Sequence, residues 1–215
     1  FAHEPSPRFF KGTCLFDPID PKTSLRMAAL VRKHPGRIVG LRIHANNKQL
    51  TTSGAIRDRD LRDPAVKATW RTAADLGLAI QMHFVPYFAP QIGVLAAQFP
   101  AVPVILDHLA RAGQGTPAEF DDVLKLTKYP RVYMKYSAVR YSSKQDYPHA
   151  DAKPMVRRCY DAFGPDRMLW GGLGHNMDDF RRAVALLDQM FDYASESDRA
   201  KIRGLNAVKL FGWTA

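Results

Sequence analysis

The feature that most constrains this chain is an alternation. Short apolar runs, spaced about thirty residues apart, are separated by stretches of helical periodicity, the pattern of βα units. The runs are Phe9 to Phe16, Arg37 to His44, Leu78 to Phe84, Val102 to Leu106, Arg131 to Ser137 and Arg167 to Gly172. Parallel strands need crossover connections of a dozen or more residues, usually helical. The spacing therefore predicts an α/β fold built around a parallel sheet. Periodicity alone leaves a closed barrel and an open doubly wound layer equally compatible.

Local signals mark the helices between the runs. Thr23 stands where a cap would, before a helix reaching His34 and ended by Pro35-Gly36. Asp63-Pro64 supplies an N-cap with proline in the first turn, and Gly77 a stop. Further helices are expected from about Pro90, over Pro117 to Thr127, up to Phe163, along Phe180, Val184, Leu187 and Phe191, and from Glu196 to Phe211. No GxGxxG follows any of the strands, which disfavours a dinucleotide site.

With 215 residues, a single domain over 1–215 is the natural expectation. No apolar run is long enough to cross a bilayer, and the first residues form no signal-peptide pattern. The two cysteines, Cys14 and Cys159, make no CxxC pairing and suggest no disulfide framework, so a cytoplasmic setting is expected. The formal net charge is +10, yet Lys and Arg are spread along the chain with no basic run. That distribution argues against nucleic acid and membrane partners and for a small anionic substrate. Self-association into a homo-oligomer is left open.

Ionisable groups recur at one end of the runs. Arg42 and His44 close the second, His83 the third, Asp107 and His108 the fourth, and Lys135 the fifth, while His175 follows the sixth. In a βα sheet these ends point the same way, so residues remote in sequence converge on one mouth. The sharpest case is VPVILDHLAR, Val102 to Arg111, where an aliphatic strand stops abruptly in a charged pair. Asp107, His108 and His83 are the candidate catalytic groups, serving acid–base steps around a water. His83 and His108 are also the candidate ligands of a divalent metal, with a metal-free site as the alternative. Arg42, Arg111, Lys135 and Arg140 are candidates to clamp a carboxylate. Plainer readings stand beside these. Asp107 caps a turn, His108 is a bonded core histidine, His44 is a loop residue, His34 and His149 are surface groups, Lys135 is a buried lysine paired with an acid, and Arg140 faces water.

The motifs resemble a known family. ILDHLAR is similar to the I/V-DHLG-(R/K) strand of the amidohydrolase-2 family, VYMKYSAVRYS to its VyvKlSg strand, and DRMLWGG to its DRllWGsDWPh strand. RGLNAVKLFGW is similar to its closing helix. In order and spacing the matches run from Phe9 to Trp213, and the style is closest to the 2-pyrone-4,6-dicarboxylate lactonase-like and sugar-lactone hydrolases. The resemblance implies a (β/α)8 TIM barrel in which strand-end histidines and a carboxylate activate water against a lactone or related ester. It implies zinc or manganese as cofactor, or none, and a pocket role for Lys135 and Arg140. A metal-dependent decarboxylase on the same barrel, and a degenerate barrel kept for binding, are the rival readings. Two family features have no counterpart here. Nothing matches the opening HxH strand, so the sequence is expected to lack the first two βα units and to be N-terminally incomplete. Leu173 stands where the family places its catalytic aspartate, with His175 two residues on.

Overall fold

The computed structural model describes residues 10–50, 57–172 and 176–213. Six strands form one sheet in sequence order, and every neighbouring pair is parallel. They are β1 (Gly12–Cys14), β2 (Ile38–Ala45), β3 (Ala79–Phe84), β4 (Val104–Leu106), β5 (Val132–Tyr136) and β6 (Met168–Trp170). Helices α1 (Thr23–Lys33), α2 (Pro64–Asp75), α3 (Ala89–Gln98), α4 (Pro117–Leu124) and α5 (Lys153–Phe163) make the crossovers, and α6 (Met177–Met190) follows β6. The expected α/β class and barrel-type strand order are both present. Among the described residues β1 and β6 are the two edges of the sheet.

The helix signals mostly did what their chemistry suggests. The Asp63 carboxylate accepts from Ala65 N at 2.8 Å, with Pro64 opening α2. Thr116 and Glu119 close a reciprocal capping box on α4. Thr23 departs from expectation. It lies inside α1, and its hydroxyl donates to the Asp17 carbonyl, so it ties the helix start to the loop after β1 instead of capping. The closing helix is also not continuous. It divides into α7 (Glu196–Ala200), a wide turn over Lys201–Leu205, and α8 (Asn206–Phe211).

The two faces of the sheet differ sharply. Along β2 and β3, Leu41, Ile43, Ile80 and Met82 are buried against Met27 of α1, Trp70 and Ala73 of α2 and Ile92 of α3. Side chains alternate in a strand, so the residues between these point to the opposite face. The base of that opposite face is apolar: Ala79, Ile105 and Leu169 are covered by Ala207, Leu210 and Phe211. Asn206 anchors this cover by donating to the Pro165 and Met168 carbonyls at 2.7 and 2.8 Å. Above it the face turns polar, and Thr13, Arg42, Gln81, Lys135 and Ser137 line an open cavity.

Candidate active site

The centre of the site is the carboxylate of Asp107, at the end of β4. Its side chain is 1% exposed and lies between two cations: Arg42 Nε donates to Oδ2 at 3.0 Å, and Lys135 Nζ donates to Oδ1 at 3.2 Å. Arg42 comes from β2 and Lys135 from β5, so three strands converge on one carboxyl group. A carboxylate this buried persists only when paired. The plain reading of Lys135 as a lysine paired with an acid therefore holds, and the pair is itself part of the site.

His108 is next in sequence and opens an unusual turn. His108, Leu109, Ala110 and Arg111 all adopt left-handed conformations, with φ between 51° and 56°. None is glycine, and such a conformation costs about 1–2 kcal/mol per residue. Tertiary contacts hold the turn in place. The next segment packs so closely on the loop after β5 that a Cβ on Gly113 would lie 2.4 Å from the Ser142 carbonyl oxygen. The effect of the turn is to bring His108 and Arg111 back over the sheet. Backbone strain of this kind collects at functional sites.

Hydrogen bonding assigns the histidine tautomers. Arginine only donates, so the contact from Arg42 at 3.2 Å makes His108 Nε2 an acceptor. The proton is then on Nδ1, which donates to Ser137 Oγ at 2.8 Å. By the same logic His83 Nε2 accepts from Arg111 at 3.0 Å, leaving its Nδ1–H buried without a partner. Both rings are neutral. Burial, with the neighbouring cations adding to it, lowers His83 to about 2. Burial lowers His108 to about 4, with the Asp107 charge opposing.

His44 belongs to this group. It lies within β2, not in the following loop, and its register partner on β3 is His83. The two rings meet edge-on at 4.7 Å, and His83 meets His108 at 5.0 Å. Burial lowers the His44 pKa as well. Beyond His108 the row continues to Tyr141, with Arg111 stacked 4.3 Å from the tyrosine ring centre.

These residues as arranged do not fit a divalent metal. The Nε2 atoms of His83 and His108 each face a guanidinium, and both oxygens of Asp107 are taken by cations. Among the described residues no group of three or more His, Cys, Asp and Glu side chains is placed to hold an ion. The expectation of His83 and His108 as metal ligands thus meets a physical objection: their outward lone pairs already accept from arginine.

Of the expected site residues, Arg42, Asp107, His108 and Lys135 line one cavity of about 410 Å³, together with Thr13, Gln81 and Ser137. His83 and Arg111 stand behind His108, bonded to each other and touching that cavity only through their neighbours. Arg140 is not among them. It is exposed, leans on Tyr141, and lines a different cavity with Tyr147 and His149. His149 is accordingly half-buried and not a plain surface group. Leu173 and His175 lie outside the described residues. Sequence reasoning underused His44, Ser137 and Tyr141. His44 was legible, since positions 42 and 44 share a strand face. Tyr141 sits in an irregular loop that carries no periodic signal.

Comparison with known proteins agrees with this architecture. A curated L-fucono-1,5-lactonase of Burkholderia ambifaria is 26% identical over 167 residues, covering 72% of this chain and 55% of that protein. The chain thus spans about half the length of this curated relative. Among solved structures, a putative 2-pyrone-4,6-dicarboxylic acid hydrolase of Pseudomonas putida superposes with a TM-score of 0.73 at 18% identity, covering 98% of this chain and 74% of that one. An amidohydrolase of Burkholderia multivorans with bound zinc gives 0.69 at 16% identity, covering 91% and 71%. No helix among the described residues is long and apolar enough to cross a membrane. The family model described as Amidohydrolase (Amidohydro_2) matches residues 1–213, and the chain belongs to that family.

Proposed function

We propose that this chain carries the catalytic site of a hydrolase that opens a lactone, or a related ester, of a small carboxylated compound. The observation that supports this most is the pairing of Arg42 and Lys135 around Asp107, beside a neutral His108, in one open cavity. Lys135 and Arg42 turn part of their hydrogen bonding from Asp107 to the substrate carboxylate, while Asp107 keeps them aimed. As Arg42 turns, it frees His108 Nε2. An anionic substrate in the cavity also raises His108 toward its ordinary value, so the base strengthens when substrate is bound. His108 then takes a proton from water as the hydroxide oxygen bonds to the acyl carbon. The ring C–O bond breaks, and the departing oxygen receives that proton back from His108. Ser137 holds the imidazole by accepting from Nδ1. Both oxygens of Asp107 are committed to cations. Its role is to orient and balance charge.

The test is acid release from a panel of sugar-acid and pyrone-carboxylate lactones, using the full chain before and after dialysis against a chelator. Turnover that survives dialysis and falls by about 10²–10⁴ in His108→Ala supports the reading. Turnover lost on dialysis and restored by zinc or manganese, equal turnover in His108→Ala, or binding without turnover would each sink it.

A further inference from the structure

A second cavity, of about 320 Å³, adjoins the first across Ser137 and Gly171, which line both. The divide is as thin as backbone. A Cβ on Gly171 would lie 2.7 Å from Lys135 Cε and 3.3 Å from Ser137 Cβ, so no larger side chain fits there without moving the lysine. The residues that give this second cavity its character are Trp170, Tyr147, Arg140, Arg182, His149 and Asp179.

What sets it apart among the described residues is that two arginines without a carboxylate partner meet in one hollow. Arg26, Arg62, Arg157, Arg158 and Arg181 each hold a carboxylate. Arg140 and Arg182 hold none among the described residues, and both open onto the same hollow. Among the described residues Asp179 is the one acid in the lining, so the cations outnumber it. His149 donates from Nδ1 to the Gln145 carbonyl at 2.8 Å, which holds its ring in the lining. Trp170 and Tyr147 add flat apolar walls. Guanidinium groups pair with a carboxylate in its own plane, and aromatic walls stack a flat ring. The volume suits a single ring with its substituents, near the lower end of the usual range of about 300–1,000 Å³ for ligand sites.

We propose that this cavity is a second ligand site, separate from the Asp107–His108 cavity, that binds a planar aromatic carboxylate through Arg140 and Arg182, with the ring against Trp170. The proposal stands apart from the hydrolase reading, because it concerns binding alone.

The experiment is a titration of the ¹⁵N-labelled chain with 4-hydroxybenzoate, and with acetate as the ring-less control, following the three tryptophan indole signals. Trp170→Phe identifies the signal of interest, and buried Trp70 reports that each variant is folded. We expect the Trp170 signal to shift saturably with 4-hydroxybenzoate and hardly at all with acetate. The affinity falls by about tenfold or more in Arg140→Ala/Arg182→Ala, the size of a lost charged hydrogen bond. It is unchanged in Gln81→Ala, which alters only the first cavity. No saturable shift, an affinity untouched in the double variant, equal response to acetate, or a loss in Gln81→Ala would each overturn the proposal.

Discussion

The two faces of one sheet offer the clearest contrast in this molecule. On β2, Leu41 and Ile43 are buried under helices, while Arg42 and His44 between them face the opposite way and reach Asp107, His108 and His83. On β5, Met134 is buried with the helices and Lys135 meets Asp107. The helix face gains stability from buried apolar area, about 1.5–3 kcal/mol for each large side chain. The site face gathers desolvated charges and left-handed backbone, both of which oppose folding. Because side chains alternate, a single strand serves both ends without compromise. A slip of one residue would exchange the two faces outright.

The largest effect should come from the charge at the centre of the site face. Asp107→Asn leaves Arg42 and Lys135 facing each other without a counter-charge, and we expect a loss of about 3–5 kcal/mol in urea denaturation, together with activity. An unfolding midpoint equal to that of the unaltered chain would mean the triad contributes no net stability. Met82→Ala makes a cavity on the helix face, where Met82 is fully buried, at a cost of about 2–5 kcal/mol. Its turnover per folded molecule should be retained. If turnover falls as steeply as stability, the faces are not separable in the way their packing suggests.

A third comparison uses pH. His83 and His108 ionise in the folded chain at about 2 and about 4, against 6.5 for an ordinary histidine. As pH falls below about 6.5 the unfolded chain binds protons that the folded chain refuses, so stability is full above that value. It then declines on acidification, down to about 4 for His108 and about 2 for His83. His83→Phe should flatten this decline, whereas Met82→Ala should lower the curve without changing its slope between pH 4 and 6.5. Parallel curves for all three proteins would show that the histidines are not desolvated as described. The smallest effect concerns strain. Ala138, at φ 47° in the loop after β5, should accept glycine with a gain of about 0.5 kcal/mol, as relief of the left-handed conformation slightly exceeds glycine's entropy cost. A loss in thermal melting would mean the loop carries no strain.

Much of the architecture was readable beforehand. The six runs became the six strands, because aliphatic segments flanked by Gly, Pro and Asp have few alternatives. Asp63-Pro64 became a helix start because the carboxylate and the fixed proline φ act locally. Thr23 was misread because its hydroxyl found the Asp17 carbonyl, a partner that only the fold brings near. Arg140 was misplaced for a related reason. The loop after β5 turns left-handed at Ala138, and from there the side chain leaves the Asp107 cavity for the neighbouring one. The residues that ended up at the site most reliably were those on strands, where the direction of each side chain follows from parity.

The sequence by itself determined the order of elements and the end of the sheet at which the ionisable groups gather, since those depend on local propensity and on alternation along each strand. It also carried the family motifs. Only the tertiary structure decided how the groups use one another. Whether His83 and His108 offer lone pairs to a metal or to arginine depends on where Arg42 and Arg111 arrive, one from two strands away and the other through a strained turn. Those arrivals are set by packing between segments distant in the chain, which no local pattern encodes.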